Sequence, residues 1–380
     1  MQIRYFAHTW LSDWNHGNAH FLRGLAGELA RRGHGVRVYE PMPSARGGWS
    51  LAHLLAEPGG AAAVAGMRAA YPELDIRLFG PGAAAAAAAL PGGPLPAVSD
   101  WAAELRVADV VLVHEWMEAA LLAWLLQQRR RHGFRLLLHD THHRAVSAGD
   151  WVQRLPLRAL DGVIAFGESL RRIYEQQGAR RSFTLHEAAD LRRFGPRAGA
   201  ERGADAVWIG NWGDEERTRE LEAFLLQPLR ASGASARLYG VRYPAQAQAR
   251  VRALGLAYRG YLANLEAPGA YAAARFTLHL PRQPYAAALP GIPTIRVFEA
   301  LACGMALLCA PWTDCEQLFC AGEDYWIAHN SQEMAALMMQ LLAAPQQRSQ
   351  LGQHGLATVA ARHSCAHRAV EVEALCAQLG

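Results

Sequence analysis

Short runs of apolar residues alternate along this chain with longer stretches in which apolar residues recur every three or four positions. Residues 3–8 form the first run, residues 19–32 place their leucines at helical spacing, and residues 36–40 form the next run. Short runs of this kind are typical of buried strands, and the spaced pattern is typical of helices. Strands that alternate with helices predict a parallel sheet with helical crossovers.

The alternation of predicted strands and helices occurs twice along the chain. Residues 194–203 are polar and contain glycine, as interdomain linkers do, and the alternation restarts after them. We therefore predict two βαβ domains, residues 1–198 and 199–360, and a C-terminal helix within residues 361–380 that packs back on the first domain. The predicted strands are residues 3–8, 36–40, 110–114, 134–139 and 162–166 in the first half, and residues 206–209, 235–239, 257–259 and 276–280 in the second.

Composition and charge narrow the class of protein. The 380 residues include 38 Lys and Arg against 34 Asp and Glu, a net charge of +4. Because these charges are interspersed, nucleic acid is not expected as the main partner. No apolar stretch approaches the ~20 residues of a membrane span, and the start lacks the basic and apolar regions of a secretory signal. We expect a cytoplasmic, globular protein without a transmembrane segment.

The six cysteines all lie in the last quarter of the chain, and none forms a C-x-x-C pair. Zinc sites usually show such closely spaced pairs, and disulfide frameworks belong mainly to small exported domains. We therefore predict buried or free thiols.

The strand-to-helix loops are the places to search for chemistry, because ligands of open α/β sheets bind at the carboxyl ends of the strands. The loop after residues 206–209 contains Gly210, Asn211 and Gly213, and Arg217 follows at the start of the next helix. Glycine lets the backbone approach a ligand, and arginine can bind a phosphate. The alternative is an ordinary turn with a solvated arginine. The loop is neither a G-x-G-x-x-G fingerprint nor a Walker loop.

A second candidate is the helix that begins at Pro293. Its first turn presents the amides of Thr294, Ile295 and Arg296, and Glu299 follows one turn later. Helix N-terminal amides suit a diphosphate, and a carboxylate suits the two hydroxyl donors of a ribose. The alternative is a core helix on which Glu299 points outward.

A third candidate is the set of histidines and acids that end the strands of the first half. They are His8, Asp13, His16, His114, Glu115, His139, Asp140, His142 and His143. Such residues can ligate a metal, transfer protons or hydrogen-bond a polar ligand. Because they end several strands of one domain, we expect a polar cleft that faces the second domain.

These motifs resemble the GT-B glycosyltransferases, whose two facing Rossmann-like domains hold a nucleotide sugar mainly on the second. Residues 296–308 are similar to the donor-site helix of family 4 retaining transferases. They are closer to the CgeB-like, spore-maturation-protein-type transferases, whose downstream pattern is completed by Phe319, Gly322 and Glu323. Residues 13–18 resemble the N-terminal glycine loop of the family, and residues 258–262 resemble its base-contacting strand and loop.

The resemblance implies a nucleotide-diphosphate sugar as a substrate and no further cofactor or metal. Glu299 would bind the ribose, the first turn of its helix the diphosphate, and Arg217 the phosphates. The implied donor-binding residues are Gly210, Asn211, Arg217, Gly260, Tyr261, Leu262, Thr294, Ile295, Arg296 and Glu299.

The resemblance also implies an acceptor side on the first domain. His139 would lie near the transferred sugar. Asp13, His16 and His139 are candidates for the general base of an inverting route, whereas a retaining route needs no strong base. The implied acceptor-side residues are Gly17, Asn18, His114 and His142.

One position departs from the family pattern. Family 4 enzymes usually carry another glutamate eight positions before Glu299, and this chain has Gly291 there. CgeB-like relatives often lack that glutamate too.

Together these features predict a metal-independent, retaining transfer of a hexosyl group to a glycan, a lipid-linked sugar, a protein or a small molecule. Helix N-terminal amides and arginines would assist the departing diphosphate without a metal. Two alternatives stay open. One is a sugar-nucleotide epimerase of related fold, and the other is a non-catalytic nucleotide-sugar-binding protein, which Gly291 makes plausible.

Overall fold

The computed structural model describes residues 1–42, 49–198, 203–213 and 217–379. The chain divides into two compact units: Met1–Glu187 with Cys365–Gly380, and Ala188–Ser364. We call them unit 1 and unit 2.

Unit 1 contains a seven-stranded parallel sheet in the order β3-β2-β1-β4-β5-β6-β7. Ile3 of β1, an inner strand, lies opposite Val36 on one side and Val110 on the other. All five residues of β4 are buried, as expected for a parallel strand covered on both faces. The strands are β1 (Gln2–Phe6), β2 (Gly35–Pro41), β3 (Asp75–Phe79), β4 (Val110–His114), β5 (Arg135–Asp140), β6 (Gly162–Ala165) and β7 (Ser182–Thr184).

The helices of unit 1 connect consecutive strands. They are α1 (Ala19–Arg31), α2 (Trp49–Ala56), α3 (Gly60–Ala70), α4 (Ala83–Ala88), α5 (Trp101–Arg106), α6 (Ala119–His132), α7 (Arg144–Ser147) and α8 (Glu168–Gln176). Short 3₁₀ turns at Val152–Arg154 and Leu157–Ala159 precede β6.

Unit 2 repeats this plan with six parallel strands in the order β10-β9-β8-β11-β12-β13. Trp208, Leu238, Phe276 and Leu308 lie in its buried core. The strands are β8 (Ala206–Ile209), β9 (Ala236–Tyr239), β10 (Ala257–Tyr258), β11 (Phe276–His279), β12 (Ala306–Cys309) and β13 (Trp326–Ile327).

The helices of unit 2 include one that changes winding. Thr218–Leu221 is α9, which continues through a π-helical turn at Glu222–Leu226 into α10 (Gln227–Ser232). The others are α11 (Ala245–Ala253), α12 (Ala267–Ala272), α13 (Gln283–Ala288), α14 (Ile295–Ala302), α15 (Ser331–Ala343) and α16 (Pro345–Arg362).

Both sheets have the strand order 3-2-1-4-5-6 when strands are counted from the start of each unit. This is the doubly wound order of the Rossmann fold, and it confirms the predicted fold class of two Rossmann-like domains. In each sheet the order reverses beside the central strand, and ligands of this fold bind at that point. No helix within the described ranges is long and apolar enough to cross a bilayer.

The last helix, α17 (Cys365–Ala377), belongs to unit 1. Glu373 of this helix accepts hydrogen bonds from Arg32 at 2.7 Å and lies 2.7 Å from His34 Nε2. The division between the units falls at residues 187 and 188, before the predicted boundary at 198. The division falls earlier because the residues just after it contact unit 2. The amide of Ala189 donates to the carbonyl of His363. Residues 199–202, where the sequence placed the start of the second domain, lie outside the described part of the chain.

Candidate functional site

The loops after β8 and β9 of unit 2 form one interlocked surface. Asn211 Oδ1 accepts from the amide of Val241 at 2.9 Å, and the Gly210 carbonyl accepts from Tyr243 Oη at 3.0 Å. A β-carbon on Gly240 would lie 2.1 Å from the Gly210 carbonyl oxygen, so only glycine fits there. The predicted donor residues Gly210 and Asn211 therefore have fixed backbone positions.

Arg217 caps the start of α9 and reaches across the ends of the strands. Its guanidinium donates to the carbonyl of Asn211 at 3.1 Å and to that of Leu280, just after β11, at 2.7 Å. Burial, together with the nearby charges of Arg282 and Arg296, lowers the pKa of Arg217 to about 10. Arg217 therefore stays charged at neutral pH. Three cations, Arg217, Arg282 and Arg296, converge at the point where the strand order of unit 2 reverses.

Gly213 lies among these arginines. Its φ is +77°, and a β-carbon there would come within 3.1 Å of Arg282 Nη2. A loop that combines glycine, backbone amides and converging guanidinium groups is suited to a phosphate-bearing ligand. Sequence reasoning missed Arg282, although its position three residues after the end of β11 was a usable signal.

The N-terminus of α14 faces the end of β11. Thr294 is its N-cap residue, with an extended backbone, and its hydroxyl lies 3.1 Å from His279 Nε2. Burial lowers the pKa of His279 to about 3, so the ring is neutral. Its Nδ1 is buried without a hydrogen-bond partner among the described residues. Amides in the first turn of a helix have no acceptor within the helix, so this end of α14 can bind an anion.

Glu299 lies deeper than the sequence suggested. Its side chain is fully buried, and its carboxylate accepts from the Arg296 guanidinium one turn earlier. The same carboxylate raises the pKa of Tyr271, which is already high because the phenol is buried. The alternative in which Glu299 points outward from a core helix is wrong, because Glu299 is as buried as Val297 and Phe298. As the structure stands, the carboxylate is a partner of Arg296.

The segment expected to border a base is joined to the glycine surface. The Gly260 carbonyl accepts from the amide of Gly240 at 2.8 Å, and Tyr258 Oη donates to the Gly240 carbonyl at 2.9 Å. Tyr258 also stacks on Tyr243, with ring centroids 4.4 Å apart. Tyr261 and Leu262 are half-buried beside Gly260.

Gly291 has a structural requirement of its own. Its φ is +88°, its amide donates to the Thr313 carbonyl at 2.7 Å, and a β-carbon would lie 2.8 Å from Cys315 Sγ. We expect Gly291→Ala to lower the free energy of unfolding by about 1–3 kcal/mol, because it combines left-handed strain with a clash. Urea denaturation measures this loss. Gly255→Ala is the control, because that glycine also has positive φ but has open space around it. Equal losses of unfolding free energy for the two variants would contradict a clash between a β-carbon at position 291 and Cys315.

Unit 1 gathers its histidines around Thr141. Asn18 Nδ2 donates to Thr141 Oγ1 at 2.7 Å, and His114 Nε2 lies 3.0 Å from the same oxygen. His8 Nε2 lies 2.9 Å from His16 Nε2, and the rings of His8 and His114 stack at 5.7 Å. The structure therefore brings together residues from the ends of β1, β4 and β5. The central place of Thr141 in this group was not predicted from the sequence.

His139 is a buried member of this histidine group. Its Nδ1 is hydrogen-bonded to Tyr5 Oη, and its Nε2 is buried without a partner among the described residues. Burial lowers the pKa of His139 to about 3, and burial lowers the pKa of His16 to about 4. Both rings are uncharged at neutral pH, so each can accept a hydrogen bond at an unprotonated nitrogen.

Two acids lie beside the histidines. Tyr174 Oη donates to Asp140 Oδ2 at 2.6 Å, and the amide of His142 donates to Oδ1. Burial raises the pKa of Asp140 to about 7. Burial and the nearby Asp140 raise the pKa of Glu115, whose Oε2 lies 3.0 Å from His114 Nε2. One proton is therefore readily retained by this pair near neutral pH.

The other predicted residues of unit 1 lie around this group. Asp13 Oδ2 lies 3.6 Å from the buried Arg23 guanidinium, and the Gly17 carbonyl lies 3.2 Å from His20 Nδ1. His142 contacts the Trp116 ring at 4.9 Å. Within the described ranges, no three His, Cys, Asp or Glu side chains are arranged to hold a metal ion.

The neutral histidines predict acid sensitivity. The pKa of His139 in the folded protein, about 3, is below the ordinary histidine value of 6.5, so its stability contribution is complete above pH 6.5 and is lost as the pH falls toward 3. We expect His139→Gln to flatten the fall in unfolding free energy between pH 6.5 and 4 by up to about 1.4 kcal/mol per pH unit. Urea denaturation of the full chain, followed across that range, tests this. His132→Gln, at the partly exposed end of α6, is the control. An unchanged dependence of the unfolding free energy on pH for His139→Gln would contradict the prediction.

Comparison with known proteins rests on sequence and on fold. Residues 217–374 match the protein family described as "Glycosyl transferase-like". The structure of Anabaena Alr3699/HepE in complex with UDP superposes with a TM-score of 0.65 and 13% identity over 100% of both chains. The chain has the GT-B fold. Most of unit 2 and most of α17 lie in the glycosyl transferase-like match.

Other GT-B structures agree in fold and are distant in sequence. An α-glucosyltransferase (AGT) in complex with UDP gives a TM-score of 0.64 at 10% identity, over 99% of this chain and 100% of that one. Sucrose-phosphate synthase from Thermosynechococcus elongatus gives 0.61 at 14%, over 100% and 99%. No curated protein matches the chain by sequence. At these identities the structural likeness establishes the fold, and the CgeB-like assignment stays a prediction.

Proposed function

We propose that this GT-B protein transfers a hexosyl group from a nucleoside-diphosphate sugar to a hydroxyl acceptor. The convergence of Arg217, Arg282 and Arg296 with the N-terminus of α14 carries the proposal. Guanidinium groups and helix N-terminal amides are the groups that bind phosphates in proteins. The glycosyl transferase-like match covers all three arginines.

The proposed donor is a UDP-sugar. Arg217 and the first turn of α14, at Thr294, Ile295 and Arg296, bind the diphosphate. The Gly260–Leu262 segment borders the base. Two comparison structures of Alr3699/HepE are described as complexes with UDP and with UDP-glucose, which makes UDP-glucose the first donor to test.

The proposed chemistry places the cations at the leaving group. Negative charge develops on the diphosphate oxygen as the sugar–oxygen bond breaks, and fixed cations and amides stabilise that charge. We propose that these groups suffice without a metal ion. The lowered pKa values of His16 and His139 make them weak bases, which favours a retaining route over an inverting one.

On unit 1, we propose that the group around Thr141 binds the acceptor hydroxyl, with His139 oriented by Tyr5. The neutral rings of His16 and His139, and the Asn18 amide, suit uncharged hydroxyl groups. Asp13 remains the proposed base if the route is inverting.

A donor panel tests the proposal. The purified chain is incubated with UDP-glucose, UDP-galactose, UDP-N-acetylglucosamine and GDP-mannose, with and without EDTA and with simple sugar acceptors. We expect thermal stabilisation by one UDP-sugar, and EDTA-insensitive release of UDP with formation of an α-linked product. Interconverted sugar nucleotides would indicate an epimerase, and binding without turnover with any acceptor would indicate a non-catalytic binding protein.

A further inference from the structure

The loop that follows β12 carries a carboxylate to the entrance of α14. In this loop, Glu316 is half-buried and packs on Gly291, three residues before the N-cap Thr294. A β-carbon built on Gly291 would lie 2.9 Å from both Cγ and Oε1 of Glu316. The Glu316 carboxylate thus occupies the space that a side chain at position 291 would fill.

The loop is held firmly on both sides of Glu316. Asp314 accepts hydrogen bonds from the amides of Leu318 at 3.1 Å and Phe319 at 2.8 Å. At the end of α16, Arg362 donates to the carbonyls of Gln317 and Leu318, which follow Glu316. Gln317 adopts a φ of +55°, a conformation that a non-glycine residue keeps only when its surroundings enforce it. Glu316 is therefore presented in a defined place.

The same loop borders the phosphate-binding groups. Its Trp312 ring lies edge-on to His279, at 6.2 Å between centroids, and His279 in turn bonds Thr294. The Gly291 amide donates to Thr313, which ties the loop to the segment entering α14. These contacts place the loop beside the N-terminus of α14, where the sugar of a diphosphate bound there would lie.

We propose that Glu316 binds hydroxyl groups of the donor sugar and thereby helps to select the sugar. A carboxylate is an acceptor-only group, and a hexose offers neighbouring hydroxyl donors to it. Position 291 cannot supply this carboxylate, because its positive φ and the packed loop leave no room for a side chain. The proposal rests on the proposed function, since it needs a nucleotide sugar at this site.

Binding measurements on Glu316→Gln and Glu316→Ala test the assignment, with UDP-glucose and UDP as the two probes. Charge-assisted hydrogen bonds to hydroxyls predict that both variants bind UDP-glucose about 10- to 100-fold more weakly. UDP has no hexose, so its affinity should change less than threefold. Glu323→Gln, in the same β12–β13 connection and exposed, is the matched control and should bind both probes as the unaltered protein does.

The outcomes separate this proposal from the proposed function. If the unaltered protein binds UDP-glucose and the Glu316 variants bind it equally well, the role of Glu316 is overturned and the transferase is not. Equal weakening toward UDP and UDP-glucose also overturns it, because the effect would then come from the nucleotide site or from a disturbed loop. If the unaltered protein binds no nucleotide sugar of the donor panel, both proposals fail together.

Discussion

Replacement of Arg217 by alanine should weaken UDP binding about 10- to 100-fold while leaving uridine binding unchanged. The guanidinium lies at the proposed diphosphate position, and a hydrogen bond to a charged partner contributes about 1.5–3 kcal/mol. Arg217 also holds the Asn211 and Leu280 carbonyls, so some stability is lost. Removal of one cation from a cluster with Arg282 and Arg296 offsets part of that loss. Calorimetric titration with UDP and with uridine measures the two affinities.

Two further variants sharpen this test. Arg217→Lys keeps the charge and loses the planar fork, so an intermediate loss is expected. Arg219→Ala removes an exposed arginine two residues away and should bind UDP normally. The phosphate role would be excluded by equal losses for UDP and uridine with Arg217→Ala.

Glu299→Ala should have two effects, one on the fold and one on the nucleotide. The buried carboxylate holds Arg296, and its removal leaves buried polar groups without their partner, which costs about 1–3 kcal/mol of unfolding free energy. If Glu299 also contacts the ribose, uridine and UDP affinities fall together, in contrast to Arg217→Ala. Urea denaturation and the same titrations give both quantities.

The matched variants here are Glu299→Gln and Arg296→Ala. The amide of Glu299→Gln keeps the size of the side chain and one acceptor oxygen, so the stability loss should be smaller than for alanine. A Glu299→Gln protein that binds uridine and UDP with unaltered affinity would show that the negative charge of Glu299 is not needed for nucleotide binding. If Glu299 acts only by positioning Arg296, Arg296→Ala should reproduce the nucleotide defect of Glu299→Ala.

The sequence predicted the fold where hydrophobic pattern and topology agree. Runs such as residues 110–114 are buried on both faces and flanked by long helices, and the structure has a strand at Val110–His114. The pattern did not predict α3, because the alanine-rich stretch Gly60–Ala70 carries little periodic contrast, and it also missed α2 and β3. The predicted final helix near residue 363 exists as α17, and the ion pair of its Glu373 with Arg32 was beyond what periodicity can show.

The candidate site was only partly predictable for a physical reason. Loops after strands identified Arg217, Thr294 and His139, because the rule that ligands bind at strand ends depends on topology alone. The depth of a side chain depends on neighbours distant in sequence. Glu299 is buried because Arg296 and Tyr271 enclose it, and His139 is kept neutral by the packing around Tyr5. Glu316 reaches Gly291 through a loop with no sequence signature of its own.

The path of the chain has a consequence for synthesis. Unit 1 is discontinuous: it begins at Met1, is interrupted after Glu187, and is completed only by Cys365–Gly380. Cys365, Ala369 and Val372 are buried residues of that last helix, so unit 1 lacks part of its core until residues 365–377 have been synthesised. Unit 2 is continuous and has emerged by then. We therefore expect the inserted unit 2 to fold first on the ribosome, although the chain begins with unit 1.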